Sequence, residues 1–135
     1  MVIPVKRINH VGIRVSNLQT TRDFYEQLGF RFLAGPVGPE PVAIMEHPCG
    51  VNLNFILNAT VQPGENILMD VDQKHPGYTH MALEVDDIIE VQGRLQALGI
   101  AITEGPISTE GGSILLFIRD PDRNVIEFHQ SAGRR

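Results

Sequence analysis

A chain of 135 residues with 42% hydrophobic and 20% charged side chains is long enough to bury one core and too short for two independently folding ones, so a single domain over residues 1–135 is expected. The net charge of −5 opposes a nucleic-acid partner, whose binding rests on clustered Lys and Arg. No apolar run approaches the roughly 20 residues of a bilayer span, and "MVIPVKRINH" lacks the charged start and apolar middle of a signal peptide, so no membrane partner and a cytoplasmic location are expected.

In chain order, Ile8 to Val15 ("INHVGIRV") alternates, with Val11, Ile13 and Val15 on one face and His10 on the other, which predicts a half-buried strand. Ser16 and Asn17 are helix-capping types, and Gln19 is placed to complete a capping box from Ser16. "LQTTRDFYEQLG" puts Leu18, Thr21, Tyr25 and Leu28 at helical spacing and stops at Gly29, a natural C-terminal glycine. Three strands are predicted next, near 30–35, 41–47 and 51–58. Residues 59–78, rich in Pro, Gly and Asp, read as a linker whose length hints at a lid or a subunit contact. Then "YTHMALEV" repeats the first strand with His80, Asp87 and Glu90 form a second capping box, and "IIEVQGRLQALG" ends at Gly99. Strands near 100–105, 114–119 and 124–129 complete the chain. Each half is βαβββ, with module 1 at about 5–58 and module 2 at about 79–130.

The halves are copies. A shift of 70 positions superposes His10 on His80, Val15 on Val85, Leu28 on Leu98, Gly29 on Gly99, and Gly35-Pro36 on Gly105-Pro106. Background usage would give about two identities over that stretch, so a duplication is the simpler account. With a three-residue gap, "HPCGVNLNF" falls on "DPDRNVIEF", pairing Pro48 with Pro121, Asn54 with Glu127 and Phe55 with Phe128.

Strand parity decides what these residues meet. Leu53, Phe55 and Leu57 oppose Asn52 and Asn54; Ile126 and Phe128 oppose Val125, Glu127 and His129. The apolar faces are expected under the helices, and His10, Asn54, His80 and Glu127 on the opposite, helix-free face. Polar residues on such a face are ordinarily just solvated. Two histidines written into the same place of two copies weigh against that, because duplicated half-sites converge. Two imidazoles and a carboxylate are also the ligand set of a facial triad, which suits a divalent Fe, Ni, Zn, Co or Mn ion and leaves positions for substrate.

Other candidates carry less. Cys49, the only cysteine, cannot form an internal disulfide, and in "HPCG" it reads as a small turn residue. Glu40 and Glu46 read as surface charge, with a second base as the alternative. His47 and His75 have no assigned role. His129 shares parity with Glu127 and is either a supporting residue or a solvated strand end. Arg14 and Glu84 are repeat equivalents that either orient an anionic substrate or pair with each other.

From "INHVGIRVSNL" through "FYEQLGF" and "YTHMALEVDDI" to "FIRDPDRNVIEF", the sequence resembles the vicinal oxygen chelate superfamily. That superfamily includes glyoxalase I, methylmalonyl-CoA epimerase, fosfomycin resistance proteins, extradiol dioxygenases and bleomycin-binding proteins. The resemblance implies an α+β fold: two tandem βαβββ modules forming a curved, cup-like mixed sheet with helices on the outer face. It implies a divalent metal held at His10, Asn54, His80 and Glu127, with Glu127 also catalytic. The implied chemistry is that of a lyase or isomerase on a small oxygenated substrate, through an enolate-like intermediate. Glyoxalase I carries a glutamate where this chain has Asn54, and an amide there is closer to the epimerases. A ring-cleaving dioxygenase and a non-enzymatic drug-binding protein are the alternatives; the dioxygenase signature has a tyrosine where Phe117 stands. The resemblance also implies a homodimer, with sites built within one chain or shared between two.

Overall fold

The computed structural model describes residues 1–61 and 64–133. The chain divides into two compact units between the halves. The first holds β1 (Val11–Arg14), α1 (Leu18–Gln27), β2 (Arg31–Val37), β3 (Val42–Glu46) and β4 (Asn52–Ile56). The second holds β5 (His80–Glu84), α2 (Ile88–Leu98), β6 (Ile102–Ser108), β7 (Ile114–Arg119) and β8 (Val125–Gln130). The fold is α+β, and each unit is a βαβββ module, as the sequence predicts.

The duplication is written into the hydrogen-bond register. Strand order is β1-β4-β3-β2 in one sheet and β5-β8-β7-β6 in the other. The first pair of each is parallel and the rest antiparallel, so both sheets are mixed. Val11 pairs with Leu53 and Gly12 with Asn54; Met81 pairs with Ile126 and Ala82 with Glu127. Asn54 and Glu127 therefore hold the same place, as the gapped repeat requires. The register of β2 on β3 shifts between Phe32, Ala34 and Val37, and that of β6 on β7 between Ile102, Glu104 and Ile107, at equivalent positions. Both irregularities surround a Gly-Pro pair with a cis peptide bond, Gly35-Pro36 and Gly105-Pro106.

In the first module Tyr25 of α1 is fully buried, with its ring 4.8 Å from Phe55 and 5.8 Å from Phe30. Thr21, one helical turn earlier, is buried beside it in sequence register, and Leu53, Met45 and Ala43 complete the core. In the second module Ile88 and Leu95 of α2 are buried, as are Leu116, Ile118, Ile126 and Phe128 of the sheet. Burying side chains of this size contributes roughly 1.5–3 kcal/mol each relative to exposure.

Four local expectations are corrected. The capping side chain of α1 is Asn17, not Ser16: Asn17 Oδ1 accepts from the Thr20 amide at 2.9 Å, and Gln19 turns outward to donate to Asp23. An Asn one position later serves as well as Ser, so the sequence left two caps in competition. Asp87 does cap α2, but Glu90 does not reach back; it pairs with Arg94 one turn on, at 2.9 Å. The first strand begins at Val11 rather than Ile8, because parallel pairing with β4 starts at Leu53. β6 likewise runs later than expected, over Ile102–Ser108.

Part of the linker belongs to the second unit. The Asn66 side chain caps a short turn by accepting from the Leu68 amide, and Asp70 accepts from the Asn66 amide at 2.7 Å. Arg119 at the end of β7 grips both oxygens of Asp70 at 2.8 Å, a bidentate pair with each partner four-fifths or more buried. The Arg119 guanidinium, with the Asn66 amide, holds the Asp70 carboxyl well below the usual carboxylate range.

Candidate metal centre

In module 2 the parallel pairing of β5 with β8 sets His80 opposite Val125 and Ala82 opposite Glu127. The imidazole reaches along the strand pair, so that His80 Nε2 lies 3.0 Å from Glu127 Oε1. The Glu127 side chain is only 9% exposed, far less than a carboxylate tolerates without partners. Its second oxygen, Oε2, accepts from His129 Nδ1 at 2.8 Å. His129 is two residues along β8 and therefore on the same face. This settles its role among the earlier alternatives: it is a partner of Glu127 rather than a solvated strand end. Phe117, opposite Glu127 on β7, stands edge-on to His80 with ring centroids 5.6 Å apart.

Module 1 repeats the frame with different side chains. His10 lies just before β1 and is exposed, and Asn54 sits at Glu127's register, opposite Gly12 and Ile44. His10 Nδ1 is 2.9 Å from Asn9 Oδ1. Two positions beyond the Gly12 pair, Arg14 donates to Asn58 at 2.8 Å and lies 3.6 Å from Glu40, while Asn58 donates to Glu40 at 2.8 Å. Glu40 is thus tied into a surface network within its own module, and Arg14 has a partner there.

His47 has a structural role. His47 stacks edge-on with Phe30, and its Nδ1 accepts from the Cys49 amide at 3.0 Å, which shapes the β3–β4 turn. Cys49 is exposed.

Among the described residues, no three His, Cys, Asp or Glu side chains cluster as a complete metal cage. Each module holds half of the expected set: His10 with Asn54, and His80 with Glu127. The donors of the second half fit a divalent ion. Two atoms bound at right angles, each about 2.1 Å from one ion, lie about 3 Å apart. The observed 3.0 Å between His80 Nε2 and Glu127 Oε1 matches that edge. His129 on the other carboxylate oxygen is the kind of outer partner that fixes a ligating carboxylate.

Sequence reasoning overlooked Asn9 and Thr79. Each precedes its histidine, at the same 70-residue spacing, and contacts the imidazole Nδ1 at 2.9 Å. The signal was a polar residue before each histidine of the repeat.

Comparison with known proteins agrees with this frame. The chain is 30% identical over 134 residues to a lactoylglutathione lyase of Haemophilus influenzae, covering 96% of both proteins. It is 29% identical over 129 residues to a glyoxalase domain-containing protein of Mycosarcoma maydis, covering 93% of this chain and 68% of that protein. Among solved structures, a glyoxalase family protein from Enterococcus faecalis matches with a TM-score of 0.74 and 29% identity, over 93% of this chain and 98% of the other. Residues 7–128 match the family model, and the chain belongs to the Glyoxalase/Bleomycin resistance protein/Dioxygenase superfamily.

Proposed function

We propose that this protein is a metal-dependent enzyme of the glyoxalase type, a lyase or isomerase that moves a proton next to a carbonyl of a small oxygenated substrate. The observation that carries the reading is the buried Glu127 carboxylate within 3.0 Å of His80 Nε2, at the register where the repeat brings a polar residue in both modules. The full-length similarity to lactoylglutathione lyases supports the same class. His10, His80 and Glu127 would hold a divalent Fe, Ni, Zn, Co or Mn ion, with Asn54 as a neutral fourth ligand. When bound, such an ion polarises adjacent substrate oxygens as a Lewis acid.

The chain's own groups divide the remaining work. Glu127 has two carboxylate oxygens in different settings: Oε1 faces His80 and Oε2 is held by His129. A carboxylate so fixed can take a proton from a neighbouring carbon acid and return it on the same face. Asn54 cannot take a proton at neutral pH. Proton transfer therefore falls to Glu127 and not to a pair of carboxylates. The enzyme is proposed to be a cytoplasmic homodimer.

Elemental analysis of anaerobically purified protein, with proton exchange followed by NMR, tests the proposal. Tightly held Ni, Zn, Co or Mn with exchange next to a carbonyl supports it. Iron with oxygen uptake on catechols would move the assignment to ring cleavage, and ligand binding without metal or turnover to a sequestering protein.

A further inference from the structure

The two modules share a contact that the ligand assignment does not use. Asn9 Oδ1 lies 2.9 Å from His10 Nδ1, and Thr79 Oγ1 lies 2.9 Å from His80 Nδ1. Residues 9 and 79 are repeat equivalents, one place before each histidine. Their chemistry differs: an amide oxygen can only accept, whereas a hydroxyl can accept or donate.

An imidazole whose Nδ1 faces an amide oxygen must carry its proton there. In neutral His10 the lone pair is then on Nε2, ready for a cation. At His80 the second nitrogen faces Glu127 Oε1, an acceptor, at 3.0 Å. Without a cation, Nε2–H donates to the carboxylate and Nδ1 accepts from the Thr79 hydroxyl. With a cation on Nε2, Nδ1–H must donate, and the same hydroxyl turns to accept it. An amide oxygen could not serve both arrangements. The pairing is therefore matched to surroundings: an amide acceptor at His10, and a reversible hydroxyl at His80, whose Nε2 faces a carboxylate.

We infer that Asn9 and Thr79 are positioning residues, which hold Nδ1 of His10 and His80 and reserve Nε2 of each ring for a divalent cation. The inference rests on the metal-binding reading above and deepens it by naming the ligating nitrogen of each ring and the side chain that selects it. Partners of this kind fix both the tautomer and the ring orientation, and their loss typically weakens metal binding by about 10–100-fold.

The test uses chelator-stripped full-length protein and Zn(II) alone, titrated against a chromophoric competitor. Asn9→Ala and Thr79→Val should each weaken Zn(II) by about tenfold or more. Asn9→Asp and Thr79→Ser, which keep an acceptor and a hydroxyl, should recover most of the affinity. Long-range ¹H–¹⁵N spectra of the zinc-free protein supply a readout that a merely structural role would not move. His10 should appear as the Nδ1–H form in the wild type and lose that preference in Asn9→Ala. The inference is overturned if both variants bind Zn(II) within about twofold of wild type, a change too small for a ligand-orienting partner, while His10→Ala and His80→Ala abolish binding. If the wild type binds no zinc, or the two histidine variants bind it normally, the metal reading itself fails and the inference with it.

Discussion

The equivalent glycines Gly35 and Gly105 offer a quantitative check on how the repeat builds its sheets. Gly35 has φ +124°, and a Cβ placed there would lie 2.5 Å from the Val42 carbonyl oxygen and 2.6 Å from the Ala43 Cα. Gly105 has φ +94°, with the Leu115 oxygen at 2.7 Å and the Leu116 Cα at 3.0 Å. Both obstacles are backbone atoms of the neighbouring strand, so relief requires moving the sheet. For Gly35→Ala the positive φ costs about 1–2 kcal/mol and the overlap about 1–3 kcal/mol. The reduced entropy of the unfolded chain offsets roughly 0.4–1 kcal/mol of that. A net loss of about 2–4 kcal/mol is expected, against a total stability of about 5–15 kcal/mol for a domain. Gly105→Ala, with slightly more room, should lose somewhat less. Gly50→Ala is the control, because Gly50 has φ +104° but nothing within 4 Å of the added carbon; it should cost only the backbone strain less the same offset, a net of about 1 kcal/mol. Urea denaturation monitored by circular dichroism measures all three. If Gly35→Ala and Gly50→Ala are equally destabilised, the close approach of β2 to β3 is not what requires glycine, and the reasoning is refuted.

His129→Leu leaves Glu127 Oε2 buried without its 2.8 Å partner, so stability should fall by about 1–3 kcal/mol, with His129→Gln recovering part of the loss; an unchanged denaturation midpoint in His129→Leu would show the contact to be idle. Thr21 is 1% exposed, and its hydroxyl has no hydrogen-bond partner among the described residues, so Thr21→Val should stabilise the fold by about 1 kcal/mol in thermal or urea melts. A destabilised Thr21→Val would instead point to a hydrogen bond at that hydroxyl. The Asp70 carboxyl is held below the ordinary value by Arg119 and the Asn66 amide, so its contribution is complete above about pH 4 and is lost as pH falls toward the depressed folded value. Asp70→Asn should therefore lose less stability than wild type between about pH 4 and pH 2, and identical slopes in that window would remove the Asp70 pair as a source of acid sensitivity.

What was legible in the sequence was whatever the duplication and strand parity determine. The gapped repeat predicted the shared register of Asn54 and Glu127, and the alternation of β4 set Phe55 on the side that meets Tyr25 of α1. What escaped was decided by side-chain reach. Asn17 and Ser16 are equally good caps by type, and only the turn's geometry selects Asn17. Asp70 and Arg119 are 49 positions apart, and no periodicity joins a linker turn to the end of β7. The burial of Glu127 was invisible as well: β8 is buried at four successive residues from Val125 to Phe128, so alternation alone would have left its carboxylate exposed.

The registers also show how the two copies of the module differ around one equivalent position. Around Asn54 the cross-strand neighbours are Gly12 and Ile44, and the next position along β4 on the same face is Ile56. Around Glu127 the equivalent places hold Ala82, Phe117 and His129. Where one module sets an isoleucine, the other sets the imidazole that grips its carboxylate. Asn54 thus stands among Gly12, Ile44 and Ile56, while Glu127 is a buried carboxylate held between two imidazoles. A symmetric two-carboxylate centre would need both an acid at residue 54 and a polar partner at residue 56 to hold it. With Ile56 in that place, a glutamate introduced by Asn54→Glu would lack the support that His129 gives Glu127, so the two modules differ in the surroundings of residues 54 and 127 as much as in those residues themselves.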